Sequence, residues 1–228
     1  MHGKAFVFVK ALSANLLNTL GDETVREVVH CAGVGRDRHQ LPPFVAAVAR
    51  LLKEFALCGI QRSFAFFHYA ARQLVCLDAQ RVADMTGIRS LQIHNGGLCH
   101  IDADMTARAL LEYDTKGLDL LILENIGNLV CPAEFDTGAH KNVTILSVPE
   151  GDDKPLKYPL MYTVSDVVLI NKMDTLEYFD FDLEKAKASI LALNPKAVFL
   201  PISAKTGEGL DAVCEWILDE VSAVKAGS

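Results

Sequence analysis

From Asp78 to the C-terminus, short β-branched or apolar runs alternate with amphipathic stretches, and that alternation points to a parallel α/β sheet. The runs fall at residues 90–94, 118–124, 143–148, 166–171 and 197–203, with helical patterns at 102–113, 183–193 and 210–224. In the last helical pattern Leu210, Val213, Ile217 and Val221 recur at helical spacing, which makes one core-facing stripe. The polar segments GLCH, ENIGN, NKMD and SAK each follow the C-terminal end of a run. Open α/β sheets hold their ligands beyond the carboxyl ends of the strands, so these segments are expected on one rim. Residues 1–77 read differently. They show no clean strand–loop–helix unit, and 41–77 is apolar without a convincing period. The chain is therefore expected to divide into an atypical N-terminal region, 1–77, and a motif-bearing domain, 78–228.

Composition narrows the function classes. A net charge of -7 with no Lys/Arg block offers no stripe to neutralise phosphates, which argues against a polynucleotide partner. Six cysteines at irregular positions (31, 58, 76, 99, 131, 214) suggest reduced thiols, some of them ligands, more than a disulfide framework, and so a cytoplasmic protein. The apolar start at residues 5–9 is cut by Lys10, and the stretch 44–55 carries Arg50, Lys53 and Glu54. Neither a signal peptide nor a membrane span is expected.

Two C-terminal motifs carry the sharpest chemistry. NKMD (residues 171–174) closes an apolar run, and SAKTGEGL (203–210) follows about one helix later. Guanine presents two adjacent N–H donors on its N1/N2 edge, and the carboxylate of Asp174 can accept both in a charge-assisted pair, whereas adenine has no such donors. The backbone N–H of Ala204 is expected at the guanine O6, and the stems of Lys172 and Lys205 along the faces of the base. Asn171 and Ser203 complete the pair of motifs. Either motif alone has a plain alternative as a strand-end turn or a polar helix start; in this order, each at a strand's end, they point to GTP over ATP.

The segments GLCHIDADMTARAL (97–110), ENIGNLVCPAEFD (124–136) and SVPEGDDKPLKYPLM (147–161) resemble the HypB family, the nickel-incorporation GTPases of nickel–iron hydrogenase maturation. The resemblance runs from about Asp78 to the C-terminus. It implies a dimeric P-loop GTPase fold in which a nucleotide cycle using GTP and Mg²⁺ is coupled to metal delivery to the hydrogenase large subunit, together with other maturation factors. Glu124 and residues 125–128 stand where other GTPases sense the γ-phosphate and its magnesium. A carboxylate at a strand's end suits a magnesium-bound water, although it can equally cap the turn. Cys99, His100 and Cys131 match the family's metal site at the dimer interface, and two thiolates with an imidazole suit Ni²⁺ or Zn²⁺. No role is assigned to Cys31, Cys58, Cys76 or Cys214.

The decisive departure from this resemblance is the phosphate loop. A phosphate loop needs glycines, a Lys for the β and γ oxygens and a Ser or Thr for magnesium, yet no GKS or GKT occurs in the chain. GVGRD (33–37) is the nearest candidate, either a degenerate phosphate loop or an ordinary Gly turn; Asp37 would set a negative charge beside the phosphates. The family's acidic loop before residues 78–82 is also unrecognisable, and there is no Cys- or His-rich N-terminal metal segment. Because the resemblance sets in abruptly near Asp78, a disrupted reading frame is favoured over gradual loss. Translating the other two frames of the coding DNA upstream of Asp78 should reveal a GKS or GKT loop; none in either frame would rule disruption out. The rival functional readings are a hydrolysis-deficient metal-binding dimerisation module and a related GTPase serving another nickel enzyme such as urease.

Overall fold

The computed structural model describes residues 63–70, 77–94, 97–113, 118–125, 127 and 129–226. In chain order the described elements are β1 (Ser63–Ala70), α1 (Leu77–Thr86), β2 (Arg89–His94), α2 (Ala103–Glu112), β3 (Leu118–Leu123), the short α3 (Cys131–Glu134), β4 (Val143–Ser147), α4 (Lys154–Lys157), α5 (Pro159–Thr163), β5 (Val167–Asn171), α6 (Leu183–Leu193), β6 (Val198–Pro201) and α7 (Leu210–Ala226). They form two three-stranded sheets, ordered β2-β1-β3 and β4-β5-β6, in which every pairing is parallel. GVGRD and Cys31, Cys58 and Cys76 lie outside the described residues.

The alternation of side chains along each strand decides what the sheets cover. In β3, Leu120 and Ile122 join a core with Val143 and Ile145 of β4, Val167 and Leu169 of β5, and Leu210, Val213, Cys214, Ile217 and Val221 of α7. The intervening Leu121 and Leu123 pack with Leu91, Ile93, Ile101, Ala109 and Tyr113, where α2 covers the sheet. On the second sheet, Leu146, Val168 and Ile170 face the other way, toward Met161 and Tyr162 of α5 and Ala186 and Ile190 of α6. Strands β4 and β5 are buried along their whole length, as parallel strands covered on both faces must be. Each Leu, Ile or Val so buried contributes about 1.5–3 kcal/mol. The α7 stripe expected from its spacing is the one that packs, with Cys214 added to it.

Helix starts are set by capping aspartates. Asp102 accepts from Met105 N at 2.9 Å at the start of α2, and Asp182 accepts from Lys185 N at 3.0 Å at the start of α6. Two boundaries differ from expectation. The run 197–203 yields only Val198–Pro201 as strand, because Pro201 cannot donate to a ladder and Ile202 onward turns into the following loop. Residues 63–70, in the stretch without a period, form β1, the middle strand of the first sheet, paired on both sides.

Candidate functional site

The register Leu146↔Ile170, Ser147↔Asn171 in one direction and Ile170↔Pro201 in the other brings the ends of β4, β5 and β6 together. Asn171, 1% exposed, is the hinge of this corner. Its Oδ1 accepts from Lys172 N at 2.7 Å and from Ala204 N at 3.1 Å, so one side-chain oxygen joins NKMD to SAK. Lys172 is left-handed at φ 65°, the one non-glycine residue with positive φ among those described, and such conformations persist where surrounding contacts enforce them. Met173 N donating to Ile202 O at 3.1 Å supplies a second tie between the two segments. Asn171 Nδ2 is buried and has no hydrogen-bond partner among the described residues.

Asp174 is held by the neighbouring segment. Ser203 Oγ donates to its Oδ1 at 2.6 Å, and Lys205 Nζ lies 3.6 Å from Oδ2. The Ser203 hydroxyl first, and the Lys205 charge after it, hold the Asp174 carboxyl below the usual carboxylate range against the opposing effect of burial. Asp174 is therefore an ionised acceptor at neutral pH. Ser203 Oγ also accepts from Thr206 N at 3.1 Å, which folds the SAKTGEG loop back on itself. Sequence reasoning expected Ala204 N–H at the base O6. In this structure Asn171 engages that N–H, so base binding would have to share or release it.

Gly209 closes the same loop. At φ +74°, a Cβ there would collide with Pro201 O and lie 3.2 Å from Ile202 Cγ2. Gly209→Ala should therefore push the loop off β6, lower the denaturant midpoint by the equivalent of about 2 kcal/mol or more, and weaken any ligand held by residues 203–205. An unchanged midpoint would show that the loop tolerates the side chain.

The second group lies beyond β2 and β3. Cys99 is exposed in the turn after β2, and Cys131 opens α3, with Pro132 in its first turn. Cys99 Sγ lies 3.7 Å from His100 Nδ1, and the His100 ring stacks on Phe135 with centroids 3.5 Å apart and planes 4° from parallel. A hydrogen bond with the Cys99 side chain, then burial and the nearby Cys99 and Glu134, push the Cys131 thiol up. Cys99 thus neighbours both His100 and Cys131. Among the described residues, however, no group of three or more His, Cys, Asp or Glu side chains is gathered closely enough to hold a metal ion. The donor chemistry, two sulfurs and one imidazole, fits a borderline metal such as nickel or zinc.

Glu124, half-buried, follows the last residue of β3. Its neighbour Asn125 is turned inward: it is 3% exposed, and its Oδ1 accepts from Ile101 N at 3.1 Å. Sequence reasoning missed both this bond and the Phe135 stack. Each joins residues far apart in the chain, and no periodicity announces either.

Comparison with known proteins agrees with these motifs. The family described as CobW/HypB/UreG, nucleotide-binding domain, matches residues 72–201. The hydrogenase maturation factor HypB of Rhizobium leguminosarum bv. viciae is 45% identical over 148 residues, 65% of this chain and 48% of that one. A probable hydrogenase maturation factor HypB of Methanocaldococcus jannaschii is 34% identical over 175 residues, 77% of this chain and 79% of that one. The crystal structure of HypB from Helicobacter pylori in complex with nickel superposes with a TM-score of 0.73 at 27% identity, covering 97% of this chain and 89% of that chain. The chain spans about half the length of the Rhizobium relative and of its counterparts in Azotobacter vinelandii and Escherichia coli (strain K12). With the family match extending over more than half of its residues, and a HypB relative covered over most of its length, the chain belongs to the CobW/HypB/UreG nucleotide-binding family, on its HypB branch.

Proposed function

We propose that this chain acts as a hydrogenase maturation factor that binds guanine nucleotide and assists nickel insertion into a nickel–iron hydrogenase. The observation that carries the reading is the corner at Asn171, where one buried amide joins NKMD to SAK and leaves Asp174 ionised beside Ser203. Asp174 would read the N1/N2 edge of guanine, with Lys172 and Lys205 beside the base. Glu124 is assigned to a magnesium-bound water, and hydrolysis of GTP would be water-mediated phosphoryl transfer. Cys99, His100 and Cys131 would hold Ni²⁺ or Zn²⁺ as cargo. Leu98, Val130 and Phe135, 47%, 50% and 38% exposed, flank these three residues and form an apolar surface suited to a homodimer. Residues 78–228 are proposed as the GTPase domain; the family match begins slightly earlier, at residue 72, and β1 ahead of it pairs with β2 and β3, so the first sheet reaches across that boundary. Among the described residues no helix is long and apolar enough to cross a membrane.

The absent GKS or GKT favours a second reading, a metal-binding dimerisation module without hydrolysis. Steady-state phosphate release from GTP separates the two. Without the loop lysine and magnesium hydroxyl, turnover should fall far below the ordinary enzyme range of about 1 per second or faster. A rate inside that range would show that another segment supplies the phosphate loop, with residues 33–37 the first to mutate. A relative in Helicobacter hepaticus is a hydrogenase/urease maturation factor HypB, 41% identical over 144 residues, which keeps a urease partner in view. Capture of hydrogenase large subunit but not urease from defined mixtures is the expected result.

A further inference from the structure

The three proposed metal-site residues belong to two separate loops. Cys99 and His100 follow β2, whereas Cys131 begins α3 after β3. A loop-borne ligand set works only if its loops are held in a fixed relation, because metal–sulfur and metal–nitrogen bonds tolerate only tenths of an ångström. A buried hydrogen bond joins the first of these loops to the end of β3: Asn125 Oδ1 accepts from Ile101 N at 3.1 Å. Both ends are sealed from water, with Asn125 3% exposed and Ile101 0%. Ile101 is the residue after His100, and Asn125 is the second residue past the end of β3. The bond therefore attaches the Cys99–His100 turn to the end of β3, ahead of Cys131 in the chain. The stack of His100 on Phe135 ties the loops again on the exposed side.

We infer that Asn125 is a positioning residue of the metal site: its side-chain oxygen anchors the Cys99–His100 loop against the end of β3, and so sets where these ligands stand relative to Cys131. Asn125 does not itself bind the metal. The inference rests on the proposed metal reading, which names Cys99, His100 and Cys131 as ligands. Removing the acceptor leaves the Ile101 N–H buried without that partner and frees the loop to turn away. Groups that orient metal ligands typically change affinity by about 10–100-fold when lost. An aspartate at this position keeps an oxygen in nearly the same place and can still accept from Ile101 N–H.

The test is calorimetric titration of the full chain with Ni²⁺ for the unmodified protein, Asn125→Ala and Asn125→Asp. It is read together with the thiolate-to-nickel charge-transfer absorption and with each variant's cooperative thermal unfolding. Asn125→Ala should bind nickel about 10-fold or more weakly with a diminished charge-transfer band, while Asn125→Asp stays within about threefold of the unmodified protein. Nickel binding by Asn125→Ala equal to the unmodified protein would overturn the inference. So would Asn125→Asp binding as weakly as Asn125→Ala, since the retained oxygen would then not matter. If Asn125→Ala fails to unfold cooperatively, Asn125→Asp alone decides on the same criterion. Should the unmodified protein bind nickel in a way that Cys99→Ala leaves unaltered, the metal reading itself falls, and this inference with it.

Discussion

Asp174→Asn should weaken guanine-nucleotide binding by about 2 kcal/mol or more, roughly 30-fold, and raise relative affinity for xanthine nucleotides. The fold around it should survive. Asn retains an oxygen that can accept from Ser203 Oγ as Asp174 Oδ1 does at 2.6 Å, and the Lys205 side chain it loses as a partner is 82% exposed, so that ion pair adds little stability. What changes is the edge offered to the base. One carboxylate oxygen becomes an NH₂ donor, which matches the C2 carbonyl of xanthine and faces the N–H donors of guanine with another donor. Titration with GDP and XDP measures the switch, and an unchanged preference would remove Asp174 from the base site.

Cys99→Ala and Cys131→Ala should each abolish most nickel or zinc binding, whereas Cys214→Ala should leave it intact. The contrast follows from position: Cys99 and Cys131 lie beyond β2 and β3 and interact with each other, while Cys214 is buried in the α7 core among Leu210, Val213 and Ile217. Truncating Cys214 should appear as a modest loss of stability with no change in metal affinity, because the small cavity forms in a core cluster that holds none of the proposed ligands. Equilibrium dialysis of the three variants decides the matter. Metal lost only on Cys214→Ala, or retained without both Cys99 and Cys131, would overturn the assignment.

What could be read from the chain itself, and what could not, divides along physical lines. The helix at 183–193 and the α7 stripe were legible because a single face repeats at helical spacing and each helix has one partner layer. The strand β1 was not. It is the middle strand of a parallel sheet, and such strands lose the alternation that marks a half-exposed strand. At the candidate site, NKMD and SAK were legible because each is contiguous, with its chemistry carried by a few adjacent residues. The Asn171-to-Ala204 and Asn125-to-Ile101 hydrogen bonds span 33 and 24 residues, and they depend on which loops the sheets bring together. Through the first of these, Ala204 N–H, expected at the guanine O6, donates to Asn171 Oδ1.

Competition among GDP, IDP and ADP for the unmodified chain tests the central claim most directly, because the three share their phosphates and differ in the base: hypoxanthine lacks only the N2 amino group at the edge that Asp174 is proposed to read, and adenine also exchanges the C6 carbonyl for an amino group. Guanine offers both N1–H and N2–H, hypoxanthine keeps only N1–H, and adenine has neither. Affinity should therefore fall in the order GDP, IDP, ADP, with each lost donor to the carboxylate costing about 1.5 kcal/mol or more, roughly tenfold. Equal displacement by GDP and ADP would contradict a guanine-reading site at Asp174.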